Sequence, residues 1–326
     1  MKTRSLIFDF LGCVFLLALP ALAGPTFAVY SDPTIAWGST VASGMNNMGD
    51  YVGWNLNAGV YTGFLFDSKG FSPIMVPDSA SGVGTHPEGV NDAGQVVGYY
   101  QTASGSVQGF IEKSGVYSTL SFPGARSTLA FGINNSGKVV GYYVDSAGIT
   151  HGFIEQGGVY TTLDVPGAAG TYVLGINALG QVVGSYFDGS QFHAFSFNGV
   201  TFDNADFSGA PDSFARAIND SGQIVGWHSD CPTCMPDGYT GYSGAFYDIR
   251  PVEGLETYLV AINDLGVVLG DTMLGPTWLS VPTSGGFGGG GPVPPPPPIP
   301  EAGTSLLMAG GGALLLALGR LRRRAL

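Results

Sequence analysis

The chain has 326 residues, of which only 11% are charged, and its formal net charge is −12. A surface this acidic repels phosphate backbones and anionic lipid, which excludes nucleic acid as a partner. Val, Tyr, Phe, Thr and Gly dominate the middle of the chain while helix formers are scarce there, and that mix predicts an all-β fold of short strands and tight turns.

At the N-terminus, Lys2 and Arg4 precede an apolar run over residues 10–19 and then Ala21-Leu22-Ala23. This charged, apolar, small-residue order predicts a secretory signal peptide over 1–23, cleaved after Ala23. The run is too short for a spanning anchor. Cys13 leaves with the leader, and it is not at the cleavage point, so no lipoprotein anchor is expected.

Residues 24–282 are repetitive. The pattern Asn-x-x-Gly-x-Val-Val-Gly, with small variations, occurs six times, its turns running Asn46 to Gly49, Asn91 to Gly94, Asn134 to Gly137, Asn177 to Gly180, Asn219 to Gly222 and Asn263 to Gly266. Successive first asparagines are 45, 43, 43, 42 and 44 residues apart. A fixed period near 40–45 residues predicts a propeller with one blade per repeat. In the third unit, strands are expected at 138–143, 151–155, 158–165 and 171–176, which is the content of one four-stranded blade. Asn at the first turn position bonds the backbone two residues on, and Gly at the fourth accepts a left-handed conformation. The pair predicts a hairpin with a bulge between the strand ending at Ile133 and the strand after Gly137. The Gly that ends Val-Val-Gly leaves room for another backbone to come close.

The array is split at its ends. The last unit runs out after a strand near residues 277–279, and an orphan strand at residues 26–30 matches the missing outer strand. Joining the two would pair both ends and remove an exposed edge, so the prediction is a β-propeller of six four-stranded blades of about 43 residues, closed by the N-terminal strand.

These motifs resemble the HAF repeat family of bacterial extracellular proteins, in which a His-Ala-Phe-type strand accompanies an Asn-Asp-x-Gly-x-Val-Val-Gly turn. The named strand occurs as His193-Ala194-Phe195 and, altered, as His151-Gly152-Phe153, Gly109-Phe110-Ile111 and Gly244-Ala245-Phe246. The resemblance covers essentially all of residues 24–282. It implies a secreted, propeller-like protein with no assigned biochemical role.

Catalytic signatures are sparse. There is no Gly-x-Ser-x-Gly, no His-Glu-x-x-His and no phosphate-binding loop. His151 and His193 fall at one repeat position, as do Glu112 and Glu155, which reads as architecture. Each Asn turn offers two side-chain oxygens where calcium wants six or more, so a structural turn is expected and no metal. Cys231 and Cys234 lie in a long loop of the fifth unit, and export makes a disulfide the expected state. His228 is close, but only Asp230 and Asp237 are at hand to complete a zinc set. Tyr99-Tyr100, Tyr142-Tyr143, Trp54 and Trp227 follow the Val-Val-Gly strands. Alternation sends one of each pair to either face, for packing between blades or for stacking on sugars. A glycosidase would need two convergent carboxylates, which depend on spatial arrangement rather than on sequence.

Residues 283–299 form a Gly-rich then polyproline linker. Pro300-Glu301-Ala302 follows, then an apolar segment at 306–318 and Arg320, Arg322, Arg323 and Arg324. This three-part tail over 300–326 resembles the sorting signal of Gram-negative PEP-CTERM proteins, with Ala302 in place of the second Pro. The resemblance implies a short transmembrane helix in the inner membrane, an exosortase-type sorting protease as partner, and release to the cell surface or beyond. It also implies a binding or matrix protein of the extracellular polysaccharide layer. No cofactor is expected. The other class in view is a propeller-fold glycan hydrolase or lyase.

Overall fold

The third repeat shows how the local chemistry builds a sheet. Asn134 Oδ1 accepts from the N–H groups of Ser136 and Lys138, both at 3.1 Å. The backbone closes the same turn, with Gly137 N–H donating to Asn134 O at 3.0 Å, and Gly137 takes φ 77°. A residue with a Cβ resists that dihedral, which is why the fourth turn position is Gly. The turn joins two antiparallel strands that both lie in the same sheet.

The structure is a computed structural model, and it describes residues 27–31, 40–57, 60–79, 84–230, 236–242, 244–249, 256–272 and 275–282. An N-terminal strand, β1 (Phe27–Ser31), comes first. Blade 1 follows with β2 (Thr40–Met45), β3 (Tyr51–Asn57), β4 (Val60–Asp67) and β5 (Gly70–Ile74). Blade 2 has β6 (Thr85–Val90), β7 (Val96–Gln101), β8 (Val107–Lys113) and β9 (Val116–Leu120). Blade 3 has β10 (Ser127–Ile133), β11 (Val139–Val144), β12 (Thr150–Gln156) and β13 (Val159–Leu163). Blade 4 has β14 (Gly170–Ile176), β15 (Val182–Phe187), β16 (Phe192–Phe197) and β17 (Phe202–Asn204). Blade 5 has β18 (Asp212–Ile218), β19 (Ile224–Ser229), β20 (Asp237–Tyr242) and β21 (Ala245–Ile249). The last strands are β22 (Tyr258–Ile262), β23 (Val268–Thr272) and β24 (Gly275–Pro282).

The fold is an all-β propeller. The expectation of like, four-stranded blades holds as contiguous units for five of them. The remaining sheet is composite, with order β1-β24-β23-β22, and β1 supplies its outer strand from the other end of the chain. Two expectations need correction. The strand before each Asn turn belongs to the blade that follows it, so the sheet boundary falls one strand earlier than the repeat reading placed it. The bulge is also not at the turn. In every inner strand the register slips three residues earlier, as between Ala130 and Gly132 in β10. That slip explains the Gly of Val-Val-Gly, because a Cβ at Gly141 would run into the carbonyl oxygen of Leu129.

The core lies between neighbouring sheets. Val97 of blade 2 packs with Ala130, Ile133, Val139, Tyr143 and Phe153 of blade 3. Ala42, Tyr51, Phe64 and Phe66 of blade 1 pack in the same way on Ala261 and Leu269, which closes the ring. Hydroxyls at the start of the inner strands hold the connections between blades. Thr85, Thr128, Thr171 and Ser213 accept from the N–H groups of Val76, Phe122, Val165 and Phe207. A buried strand start thus satisfies a backbone donor that lacks a ladder partner.

Candidate functional site

Around the axis the Asn turns form two linked hydrogen-bond rings. Five of the six turn asparagines donate from Nδ2 to the backbone carbonyl of the next: Asn46 to Asn91, Asn91 to Asn134, Asn134 to Asn177, Asn177 to Asn219 and Asn219 to Asn263, at 3.0–3.2 Å. All six asparagines are buried, so these bonds satisfy groups that water cannot reach. The second turn residues make the outer ring through N–H donation to the next side chain: Asn47 to Asp92, Asp92 to Asn135, Ala178 to Asp220, Asp220 to Asp264 and Asp264 to Asn47. One link is missing, because Ala178 offers Asn135 no side-chain acceptor. The rings surround a shallow funnel floored by Met45, Val90, Ile133, Ile176, Ile218 and Ile262. Burial, and the nearby carboxylates of Asp264 and Asp92, raise the Asp220 pKa. Among the described residues no group of acids, histidines or cysteines is arranged to hold a metal ion.

Three residues before each Asn, the bulge residue differs in every sheet: Ser43, Glu88, Phe131, Leu174, Arg216 and Val260. Arg216 of blade 5 spans the channel. Its Nη2 lies 2.8 Å from Glu88 Oε2 of blade 2, three blades away, and also donates to Ser43 O, while Nη1 donates to Leu174 O. The guanidinium sits 5.2 Å over the Phe131 ring, a favourable cation–π placement. Burial raises Glu88 to a pKa of about 7, against the lowering effect of Arg216. Tyr99 and Tyr142, close by, are pushed up mainly by burial as well.

Beyond this strut, at the end of the channel opposite the turns, rings touch in an unbroken series. It runs Trp54, His86, Tyr99, Phe131, Tyr142, Tyr172, Phe192, Phe214, Trp227 and Tyr258, with Tyr61 against both Trp54 and His86. Three contacts are stacks, His86 on Tyr99 at 4.9 Å, Phe131 on Tyr142 at 5.2 Å and Phe214 on Trp227 at 3.8 Å. Trp54, Tyr61, Tyr99, Tyr172, Phe192, Trp227 and Tyr258 are only half-buried. The second member of each sequence pair, Tyr100 and Tyr143, is buried against the preceding blade.

The other residues singled out in the sequence fall elsewhere. Glu112 and Glu155 are buried caps whose Oε1 accepts from Gly115 and Gly158 N–H. His151 and His193 lie between aspartates on the rim. His228 stacks on Phe207 at 3.9 Å and lies 2.7 Å from Asp248. Cys231, Cys234, the leader, the linker and the tail with Pro300, Glu301, Ala302 and the arginines lie outside the described residues. Among the described residues no helix is long and apolar enough to cross a membrane. The Glu88–Arg216 strut was missed in the sequence. The signal was two charged residues, each three before a turn Asn, where the other repeats have Ser, Phe, Leu or Val.

No protein-family model matches the chain, and no curated protein matches it. Among solved structures it is similar to the gluconolactonase XC5397 from Xanthomonas campestris, at 12% identity over 83% of this chain and 95% of that one, with a TM-score of 0.48. It is similar to AofleA from Arthrobotrys oligospora, at 11% identity over 79% and 90%, with a TM-score of 0.46. A third is the Aleuria aurantia fungal lectin, described as a six-bladed β-propeller, at 12% identity over 66% and 78%, with a TM-score of 0.41. These likenesses accompany the fold and carry nothing about ligand.

Proposed function

We propose that this chain is an exported, non-enzymatic binding protein of the cell surface or extracellular matrix, and that its ligand is extracellular polysaccharide. The observation that carries the reading is the half-buried aromatic series around the channel mouth. Ring faces are the natural partners of sugar C–H faces, and Tyr and Trp add a polar handle. The leader, the HAF-type repeats and the PEP-CTERM-like tail support export and sorting by an exosortase-type protease, with a disulfide between Cys231 and Cys234.

The alternative, a glycan hydrolase or lyase, needs two carboxylates facing one bond. Glu88 faces Arg216 across the axis instead, which favours binding over turnover. A glycan array probed with the purified protein, read for binding and for product, tests the reading. Binding without product is expected, weakened at least tenfold in Trp54→Ala and Trp227→Ala. Product formation would favour the enzyme, and no binding to any glycan would end the proposal. For sorting, mass spectrometry of the cell-surface protein should find the C-terminus processed, and Pro300→Ala with Glu301→Ala should retain it intact.

A further inference from the structure

On the rim beside the mouth, two histidines each join two carboxylates from different connections. In blade 3, His151 Nδ1 lies 2.7 Å from Asp164 Oδ2 and its Nε2 lies 3.5 Å from Asp145 Oδ2. In blade 4, His193 Nδ1 lies 2.9 Å from Asp206 Oδ2 and its Nε2 lies 3.3 Å from Asp188 Oδ2. Asp145 and Asp188 begin the loops between second and third strands. Asp164 and Asp206 lie in the connections that leave the outer strands. Each ring also stacks on a tyrosine, His151 on Tyr143 and His193 on Tyr186, at 5.1 Å in both. The arrangement is therefore the same in two consecutive repeats.

A neutral imidazole has one N–H and one lone pair, while an imidazolium has two N–H donors. Only the protonated ring can donate to both aspartates. In the neutral ring one nitrogen turns its lone pair on a carboxylate. We infer that His151 and His193 are proton-operated clamps, which tie the second-to-third-strand loop of blades 3 and 4 to the blade connection when charged and release one arm when neutral.

The groups facing each ring fit this reading. His151 meets Asp145, Asp164 and Tyr143, and His193 meets Asp188, Asp206 and Tyr186. Asp212, beside the second clamp, accepts from Phe192 N–H. Arg126 is exposed near the first, its backbone bonded to Val144. Among the described residues no Lys or Arg pairs with the four bridging aspartates. Partial burial lowers both histidine pKa values, but the paired aspartates raise them further, for a net upward shift. Asp145 and Asp188 are held low chiefly by backbone N–H donors, so they stay charged. His228, also between two aspartates, differs in being fully buried.

Neither clamp requires a ligand. Hydrogen exchange of the purified protein from pH 5.5 to 8.5, corrected for intrinsic rates, tests it. Protection of residues 145–149 and 188–191 should fall as pH rises through the histidine titration, by about tenfold for each unit by which the ring pKa is displaced. In His193→Gln the pH step at 188–191 should vanish while that at 145–149 persists. Asp188→Asn, which keeps the ring and removes one arm, should abolish the same step if the histidine variant folds poorly. Flat protection in the wild type, or a step at 188–191 that survives both variants, would overturn the proposal.

Discussion

The bulge lies three positions before the turn asparagine on each inner strand, yet the two positions follow opposite rules. The turn position is Asn six times, buried each time, and its side chain reaches the next sheet in five of the six turns. The bulge position holds six different residues, two of which form an ion pair across the axis. A closed ring needs one geometry repeated at every joint, so identity there is an architectural demand. The bulge faces a shared space that no repeat fills alone. Its residues answer to each other across the channel, and they can differ.

Breaking the channel strut should give the largest effect. Arg216→Met leaves Glu88 buried without its partner and should cost about 3–5 kcal/mol at pH 8. The double variant with Glu88→Gln should recover most of that loss, because no buried charge remains. Lowering the pH to 5 should shrink the penalty of the single variant, since Glu88 then takes a proton. The sign follows from the raised folded pKa of about 7 against an ordinary 4.5. An acid shifted upward makes folding less favourable as pH rises from about 4.5 through 7. Urea unfolding at both pH values measures all three outcomes, and a pH-independent penalty would remove Glu88 from the account.

Asn134→Ala should come next, at about 2–3 kcal/mol, since the part-buried N–H donors of Ser136 and Lys138 and the buried Asn177 carbonyl lose their partner. Its neighbour Asn135 is exposed, and Asn135→Ala should cost well under about 1 kcal/mol. If the two variants unfold at the same denaturant concentration, the contrast between buried joint and exposed rim fails.

These turns were legible because the chemistry is local: Asn, the left-handed Gly and the period are all read along the chain. The closing strand was legible for a similar reason, since a missing outer strand at one end matched a spare at the other. The phase of the blades was harder to read. A strand entering the Asn turn and one leaving it look like neighbours of different repeats until the hairpin puts them in one sheet. The bulge was misplaced because a register slip leaves no mark of its own beyond the Gly opposite it. Glu88 and Arg216 lie 128 residues apart, and nothing local in either repeat announces the other. The aromatic series was half-legible. Alternation separated Tyr99 from Tyr100, but contact between rings of successive blades is a property of the closed fold.

The acidic rim of the turn face allows a smaller test. Burial and two neighbouring carboxylates raise the Asp220 pKa, so its charge weakens the folded state as pH rises through the titration. Asp220→Asn matches Asn47 and Asn135 at this position and removes the repulsion. Stability at pH 7 should rise by a few tenths of a kcal/mol, a modest figure because the site is partly exposed. The gain should disappear at low pH, where the wild-type carboxyl is already neutral. A gain that persists at low pH would point to packing rather than charge.

An effect of comparable size concerns the one gap in the outer ring. Asn135 N–H faces Ala178, which has no oxygen to offer, while Asp92 and Asp220 accept the equivalent bonds elsewhere at 2.9 and 2.8 Å. Ala178 is exposed, so a longer side chain meets no steric bar from the core. Ala178→Asn would supply an acceptor without adding charge to a rim that already holds Asp92, Asp220 and Asp264. One new bond at an exposed site should add about 0.5 kcal/mol, and slower exchange at the Asn135 amide would mark it directly. Ala178→Asp supplies the same acceptor together with a fourth carboxylate beside Asp220. If the outer ring works through hydrogen bonds and is limited by its charge, the Asn variant should be the more stable of the two at pH 7, and the difference should close as the carboxyls protonate. The reverse order would mean that the ring tolerates negative charge at the axis.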